Sequence, residues 1–334
     1  MCAERVDNQQ VNGQANYKRA APIFHSEDHK MYMLIVALDY KETGRPMTCS
    51  TAARNVEELA RQCGVQWLTP LYNEECTRDA VLQAVKNKTA KCGPDDFFIF
   101  YFAGHGAEAA DGSQACVLVD RRGQVSASTL LKGHELASAV LDGCDEGTRL
   151  LFLVDTCFSS PIVDLDRGSW EGRHAIVVAG PQNPSCAEED RGSIFTHACM
   201  LAIDKLSKVG RDNYSVGMFF NAVLHENDLV FSSKQDCVVQ AAPGFSPDAM
   251  AWPLVPPLGY QAPLSRCAGP GGIRSDAARG VLSAALLQHV KQEALNVPVS
   301  IEEYISLVQG QSLFQMKPFR ACHAGCSRGS CALQ

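Results

Sequence analysis

Four short runs of almost uninterrupted apolar residues decide most of what this chain can become: Met31–Leu38, Phe97–Ala103, Leu150–Val154 and His174–Ala179. Each is short for a helix and lacks the polar alternation of a strand with one wet face. Runs of this kind suit strands buried on both faces, as in a parallel sheet. Helical patterns lie between them. Ala52, Val56, Leu59 and Ala60 recur at helical spacing within Thr51–Cys63, and Thr77–Lys88 follows with Thr77 placed to cap it. Val65–Leu71 and Cys116–Val119 read as further strands, and about Leu130–Leu141, Ile194–Leu206 and Val216–Leu224 as further helices. Strands alternating with helices imply an α/β layer with a mostly parallel sheet.

Residues 1–30, rich in Gln and Asn, are expected to be a poorly ordered tail. Residues 31–160 read as a larger half, 161–173 as a short connector, and 174–245 as a smaller half. From Pro243 onward the chain carries seven prolines up to Pro270, with Gly269, Gly271 and Gly272 beside the last. Residues 246–278 therefore read as a linker or a segment wrapping the surface. Residues 279–334 are expected to be a helical extension and tail. Arg279-Gly280, Leu282, Ala285, Ser300-Ile301, Tyr304 and Val308 resemble Arg191-Gly192, Ile194, Ala198, Ser215-Val216, Phe219 and Val223 in nearly constant register. Either a helix pair has been duplicated, or two helix pairs of similar length look alike.

Composition narrows the function classes. The formal charge of −7, with no basic stripe, argues against nucleic acid as a main partner. Fifteen cysteines would suggest disulfides in a secreted chain. The first 30 residues contain no apolar signal segment, so reduced thiols in an intracellular compartment are expected. No run approaches the roughly 18 apolar residues of a spanning helix.

Ligands of an open parallel sheet bind beyond the carboxyl ends of its strands. Two of the apolar runs finish there in reactive residues: Phe97–Phe102 enters Ala103-Gly104-His105-Gly106, and Leu150–Val154 enters Asp155-Thr156-Cys157. A lone cysteine at a strand end is usually a small buried hydrophobe. A histidine and a cysteine together, at the ends of neighbouring strands, make a nucleophile and its base: the thiolate attacks a carbonyl carbon and the imidazole relays the proton. Gly104 and Gly106 allow a sharp turn and a close backbone approach. The amides of Gly106 and Cys157 could stabilise an oxyanion, where losing one donor costs roughly 3–4 kcal/mol. His105 is therefore the predicted general base and Cys157 the predicted nucleophile.

Phe-Ala-Gly-His-Gly at 102–106 and Asp-Thr-Cys-Phe-Ser-Ser at 155–160 resemble the two signatures of metacaspases, among the caspase-like cysteine peptidases. The His–Cys separation is close to the roughly 50 residues of the caspases. The likeness runs over about residues 31–245, and Gly180–Ser185, Glu188 and Arg191–Thr196 are similar to the segment after the large subunit. The caspase Gln-Ala-Cys signature is absent, which leaves a paracaspase as the neighbouring reading. The resemblance implies a caspase-like fold, protein or peptide substrates, and cleavage after Arg or Lys through an acidic pocket. Asp155 matches one acid of that pocket; the other falls at Ala52, and Asp39 could substitute for it. The resemblance also implies activation by calcium (Ca2+), with Asp164 as a ligand and Asp111 and Asp120 as further candidates. Lys132-Gly133 replaces the family's paired acids, and Ser160 replaces a glycine. Calcium takes six to eight oxygens, and a lysine opposes it. Arg167 and Arg173 read as self-cleavage sites or as solvated loop arginines. These departures support the alternative of a catalytically impaired metacaspase-like scaffold, or a regulatory protein at a membrane; another cysteine hydrolase on the same fold is a third reading.

The sequence ends Cys331-Ala332-Leu333-Gln334, a C-a-a-X pattern that favours farnesylation of Cys331. One lipid binds a membrane only marginally, so a second acyl chain or the basic Lys317, Arg320 and Arg328 would have to assist. A zinc knuckle of Cys322, His323, Cys326 and Cys331, or a chance ending, are the competing readings. Farnesylation implies a cytoplasmic protein anchored to the cytoplasmic face of a membrane. Expressed in a eukaryotic host, the chain is expected to carry a farnesyl group on Cys331, and Cys331→Ser to lose it; an unmodified, untrimmed wild-type tail by intact mass would refute this.

Overall fold

The four apolar runs become the central strands of one six-stranded sheet. The computed structural model describes residues 29–44, 46–156, 162–180, 193–208, 214–231, 237–260 and 262. In chain order the elements are β1 (Met31–Ala37), α1 (Cys49–Gln62), β2 (Trp67–Tyr72), α2 (Arg78–Thr89), β3 (Phe97–Ala103), β4 (Gly106–Glu108), β5 (Gln114–Val117), β6 (Leu130–Lys132), α3 (Gly133–Leu141), β7 (Arg149–Asp155), β8 (His174–Ala179), α4 (Ile194–Lys208), α5 (Val216–Phe231) and β9 (Val238–Ala241). The main sheet has the order β2-β1-β3-β7-β8-β9, parallel throughout except for β9, which runs antiparallel to β8. This is the mostly parallel α/β layer expected of a caspase-like fold. The expected C-terminal helical extension, the expected N-terminal tail except residues 29 and 30, and the second helix pair of the internal likeness lie outside the described residues.

Strand alternation splits the apolar residues between two cores. Every residue of β1, β3 and β7 is buried. Leu34, Val36, Phe98, Phe100, Phe152 and Val154 face α2 and α3 and pack with Val81, Val85, Leu136 and Val140. The alternate positions take the opposite face, where α1 and α4 pack together and α4 pairs with α5. Burying both faces explains why these strands carry no polar alternation.

The strand expected at Cys116–Val119 is β5, shifted by two residues, and it is the middle strand of a second, antiparallel sheet, β4-β5-β6, whose two outer strands the sequence pattern does not mark. Its strands are three or four residues long, too short for a period-2 pattern to register. The helix expected from Leu130 starts instead at Gly133, because residues 130–132 pair with β5. Glu135 marks the true start, accepting the Lys132 backbone N–H at 3.0 Å. Gly133 is pressed against the connector after β7, where a Cβ would lie 1.7 Å from the Ile162 carbonyl oxygen. β9 is likewise absent from the sequence reading.

The described start of the proline-rich stretch is packed. Met250, Ala251, Trp252 and Leu254 are buried, the Trp252 ring stacks on Phe219 of α5 at 3.6 Å, and its indole N–H donates to the Leu254 carbonyl. Cys63, Cys76, Cys92, Cys116, Cys144 and Cys199 carry free thiols, and burial pushes those of Cys63, Cys76 and Cys92 up to about 12. Among the described residues no helix is long and apolar enough to cross a membrane.

Thr77 caps α2, its hydroxyl accepting the Ala80 N–H at 3.3 Å. Thr77→Ala should lower the unfolding free energy by about 1 kcal/mol, whereas Phe152→Ala, emptying a fully buried position between Phe100 and Trp170, should lower it by about 3–5 kcal/mol. Urea unfolding measures both, and equal costs would contradict this packing.

Candidate active site

From β1 the chain passes to β2 on one side, and from β3 it passes to β7 and β8 on the other. The strand order therefore reverses between β1 and β3, the place where open α/β sheets bind ligands beyond their carboxyl ends. Register brings three ends level: Ala37 lies opposite Ala103, and Ala103 opposite Asp155. Asp39, His105 and Cys157 each stand two residues further along their own chain segments. Cys157 itself lies outside the described residues; the strand leading to it is described through Asp155 and Thr156, both buried.

His105 is half-buried, and its imidazole lies on the Tyr40 ring at 4.5 Å between centroids with a 38° tilt. Its backbone N–H donates to the Tyr40 hydroxyl at 2.8 Å, and that hydroxyl donates to the Val117 carbonyl at 2.6 Å. The Val117 N–H returns to the His105 carbonyl at 3.0 Å. Gly104 donates its N–H to the Asp155 carbonyl at 3.2 Å, tying the histidine loop to β7. The chain bends at Gly104, as expected, though without a positive φ; glycine is needed there for the close approach, because a Cβ would lie 2.5 Å from the Tyr40 hydroxyl.

The second glycine is oriented by pairing. Ala109 donates to Ser113 and Val117 to His105, so 105/117 and 109/113 are hydrogen-bonded pairs. By alternation Gly106, opposite Cys116, occupies a non-hydrogen-bonded position. Its N–H therefore points away from β5, along the outer edge of the small sheet, as an oxyanion donor requires.

The two candidate pocket acids are engaged. Asp155 is buried and accepts hydrogen bonds from the Ser193 hydroxyl at 2.6 Å and the Thr196 hydroxyl; Thr196 also meets the Tyr101 hydroxyl at 2.8 Å. Burial pushes the Asp155 carboxyl above its ordinary value, and the two hydroxyls oppose that shift. Asp39 serves the start of α1, accepting the Ser50 N–H at 2.8 Å and the Ser50 hydroxyl at 2.7 Å, with Lys41 at 3.8 Å. A carboxylate there satisfies orphan amides and complements the helix dipole.

The three calcium candidates are not brought together. Asp111 pairs with the Lys132 ammonium at 2.7 Å and takes two bonds from Ser113, which hold its carboxyl well below the usual range. Asp120 accepts the Gln124 and Arg122 N–H groups at 2.9 and 2.8 Å, closing its own turn, and these lower its carboxyl too. Asp164 pairs with Arg167 at 3.0 Å. It borders a cavity of about 630 Å³ that is also lined by Ser113, His134, Asp166 and Trp170. Among the described residues no three His, Cys, Asp or Glu side chains gather as a metal site. Among the described residues these candidates as arranged do not fit calcium: a lysine and an arginine hold two of the carboxylates, backbone amides hold the third, and a side chain at Gly133 would meet the Ile162 carbonyl.

Residues 33–166 match the family model described as the metacaspase, peptidase C14 domain. No curated protein matches the chain. A crystal structure of a Geobacter sulfurreducens protein is 17% identical, covering 70% of this chain and 99% of that one, with a TM-score of 0.49.

Asp155 sets a pH dependence with a definite sign. Its folded form holds the proton more tightly than the unfolded chain does, so this contribution to stability is full below the unfolded carboxyl value and is lost as pH rises through the raised folded one. Between about pH 4 and neutrality, wild type should lose stability relative to Asp155→Asn. Urea midpoints across that range measure it, and a difference of opposite slope would contradict the burial argument.

Proposed function

We propose that this chain, whose residues 33–166 belong to the metacaspase peptidase C14 domain family, is a cysteine endopeptidase in which Cys157 is the nucleophile and His105 the general base. The observation that carries the reading is the common register of β3 and β7, which gives both residues the same two-residue offset from a paired position. Cys157 gives its proton to the His105 imidazole, and the thiolate attacks the scissile carbonyl carbon. A carbon–sulfur bond forms while the oxyanion is held by the Gly106 and Cys157 amides. The imidazolium returns the proton to the leaving amine, and the C–N bond breaks. Water, deprotonated by the same imidazole, then hydrolyses the thioester and releases the free thiol.

Substrate choice after Arg or Lys rests on Asp155 and Asp39, two buried carboxylates at the same strand ends. An arriving guanidinium would favour ionised Asp155 and compete with Lys41 and Ser50 for Asp39. No step is assigned to calcium. The reading includes a farnesylated Cys331, which with the basic residues before it would hold the peptidase at the cytoplasmic face of a membrane.

Fluorogenic peptides ending in Arg, Lys or Asp, assayed with and without calcium, test this. Cleavage after Arg or Lys is expected, falling at least about 10³-fold in Cys157→Ala and in His105→Ala. Activity that survives Cys157→Ala overturns the mechanism, and cleavage after Asp but not Arg overturns the pocket.

A further inference from the structure

Against His105 stands a buried tyrosine that no step above employs. Beyond β1 the chain continues through Asp39 to Tyr40, which adopts φ +53°. The left-handed region is uncommon for a bulky residue, and the surroundings must hold it there. Three anchors do so. The Tyr40 carbonyl accepts the Thr43 N–H at 3.0 Å and the Thr43 hydroxyl at 2.8 Å. The preceding Asp39 N–H donates to the Asn73 side chain at 2.8 Å, and the Asp39 carboxylate is fastened to Ser50. The side chain, 3% exposed, is thereby aimed from the end of β1 under the loop that carries His105.

The hydroxyl then does something a ladder does not ordinarily need. A hydrogen-bonded antiparallel pair exchanges two direct bonds. Between His105 and Val117 one is direct, from the Val117 N–H to the His105 carbonyl. The other is routed through Tyr40, whose oxygen accepts from the His105 N–H and donates to the Val117 carbonyl. An oxygen atom is thus inserted into the ladder at the residue that bears the imidazole, one position before the proposed oxyanion amide. The ring beneath lies against the imidazole, and Gly104 leaves room for the hydroxyl where any Cβ would meet it at 2.5 Å.

We infer that Tyr40 is a positioning residue for His105: its hydroxyl, wedged between the His105 amide and the Val117 carbonyl, fixes the imidazole and the Gly106 amide in their working directions. The inference rests on the cysteine peptidase reading for its consequence in catalysis. Burial keeps the hydroxyl protonated, opposed only in part by the His105 amide, so it remains a donor to Val117 throughout the working range. A bridge that served the fold alone would not need to sit on the base-bearing residue, and the two roles separate by experiment.

Tyr40→Phe keeps the ring and deletes the bridge. In the full chain kcat should fall roughly 10–100-fold, the size of effect that a misplacement of about 1 Å produces, while KM changes less than about 2-fold. Alkylation of Cys157 by iodoacetamide, followed by peptide mapping across pH, needs no peptide turnover. Its reactive limb should move to higher pH in Tyr40→Phe as the thiolate loses a well-placed imidazolium. Gly104→Ala, which pushes on the hydroxyl from the other side, should act in the same direction and cost less in the Tyr40→Phe background than in wild type. It also serves if Tyr40→Phe does not fold. Unchanged kcat and an unchanged alkylation limb, whatever the melting temperature does, would overturn the inference, as would a rise in KM alone. If wild type shows no Cys157-dependent hydrolysis but Tyr40→Phe still shifts the limb, the peptidase reading fails and the positioning role stands.

Discussion

The parallel, in-register pairing of three fully buried strands is the constraint on which the rest depends. β1, β3 and β7 can be apolar along their whole length only because helices cover both faces, and a one-residue slip would exchange those faces. Since Leu34 to Val36, Phe98 to Phe102 and Leu150 to Val154 divide cleanly between the two cores, the register is strongly specified. That register brings Ala37, Ala103 and Asp155 level, and with them the segments that carry Asp39, His105 and Cys157. The same burial that stabilises the sheet thus aligns the chain segments at its mouth.

Polar groups at that mouth are satisfied largely by one another. Asp39 holds the start of α1, Asp155 holds Ser193 and Thr196 beside the start of α4, and Tyr40 bridges His105 to Val117. Each contact ties a loop to an element from elsewhere in the sequence, so the loops inherit rigidity from the sheet and helices. Farther out, Lys132 with Asp111 and Arg167 with Asp164 neutralise carboxylates on neighbouring loops. They are exposed pairs, worth little to stability; their consequence is that side-chain cations occupy the carboxylates that a divalent ion would need.

How much was legible varies with the length of the pattern. Strands β3 and β8 have the boundaries expected from their apolar runs, β1 ends one residue earlier and β7 gains one at each end, and the Thr77 cap lies where its hydroxyl and the helical spacing place it. Of the small sheet only β5 was legible, two residues out of place; β4, β6 and β9 were not, because three or four residues carry no usable periodicity and tertiary pairing decides their conformation. Leu130–Lys132 shows the competition directly: adjoining a helical pattern, it is taken by β5 instead.

For the candidate site, the sequence by itself determined the chemistry available: a histidine between glycines after one apolar strand, and a cysteine after another. It also determined which acids lay close in the chain. Only the tertiary structure decided which strands are neighbours, that Asp39 caps a helix, and that the three calcium candidates do not gather into one site. Tyr40 was not legible, because neither signal that marks it, a positive φ and a hydroxyl placed 65 residues away in sequence against the His105 amide, is a property of local sequence. Periodicity reports which face a residue turns inward; it does not report what stands across from it. That depends on distant segments meeting, which packing alone brings about.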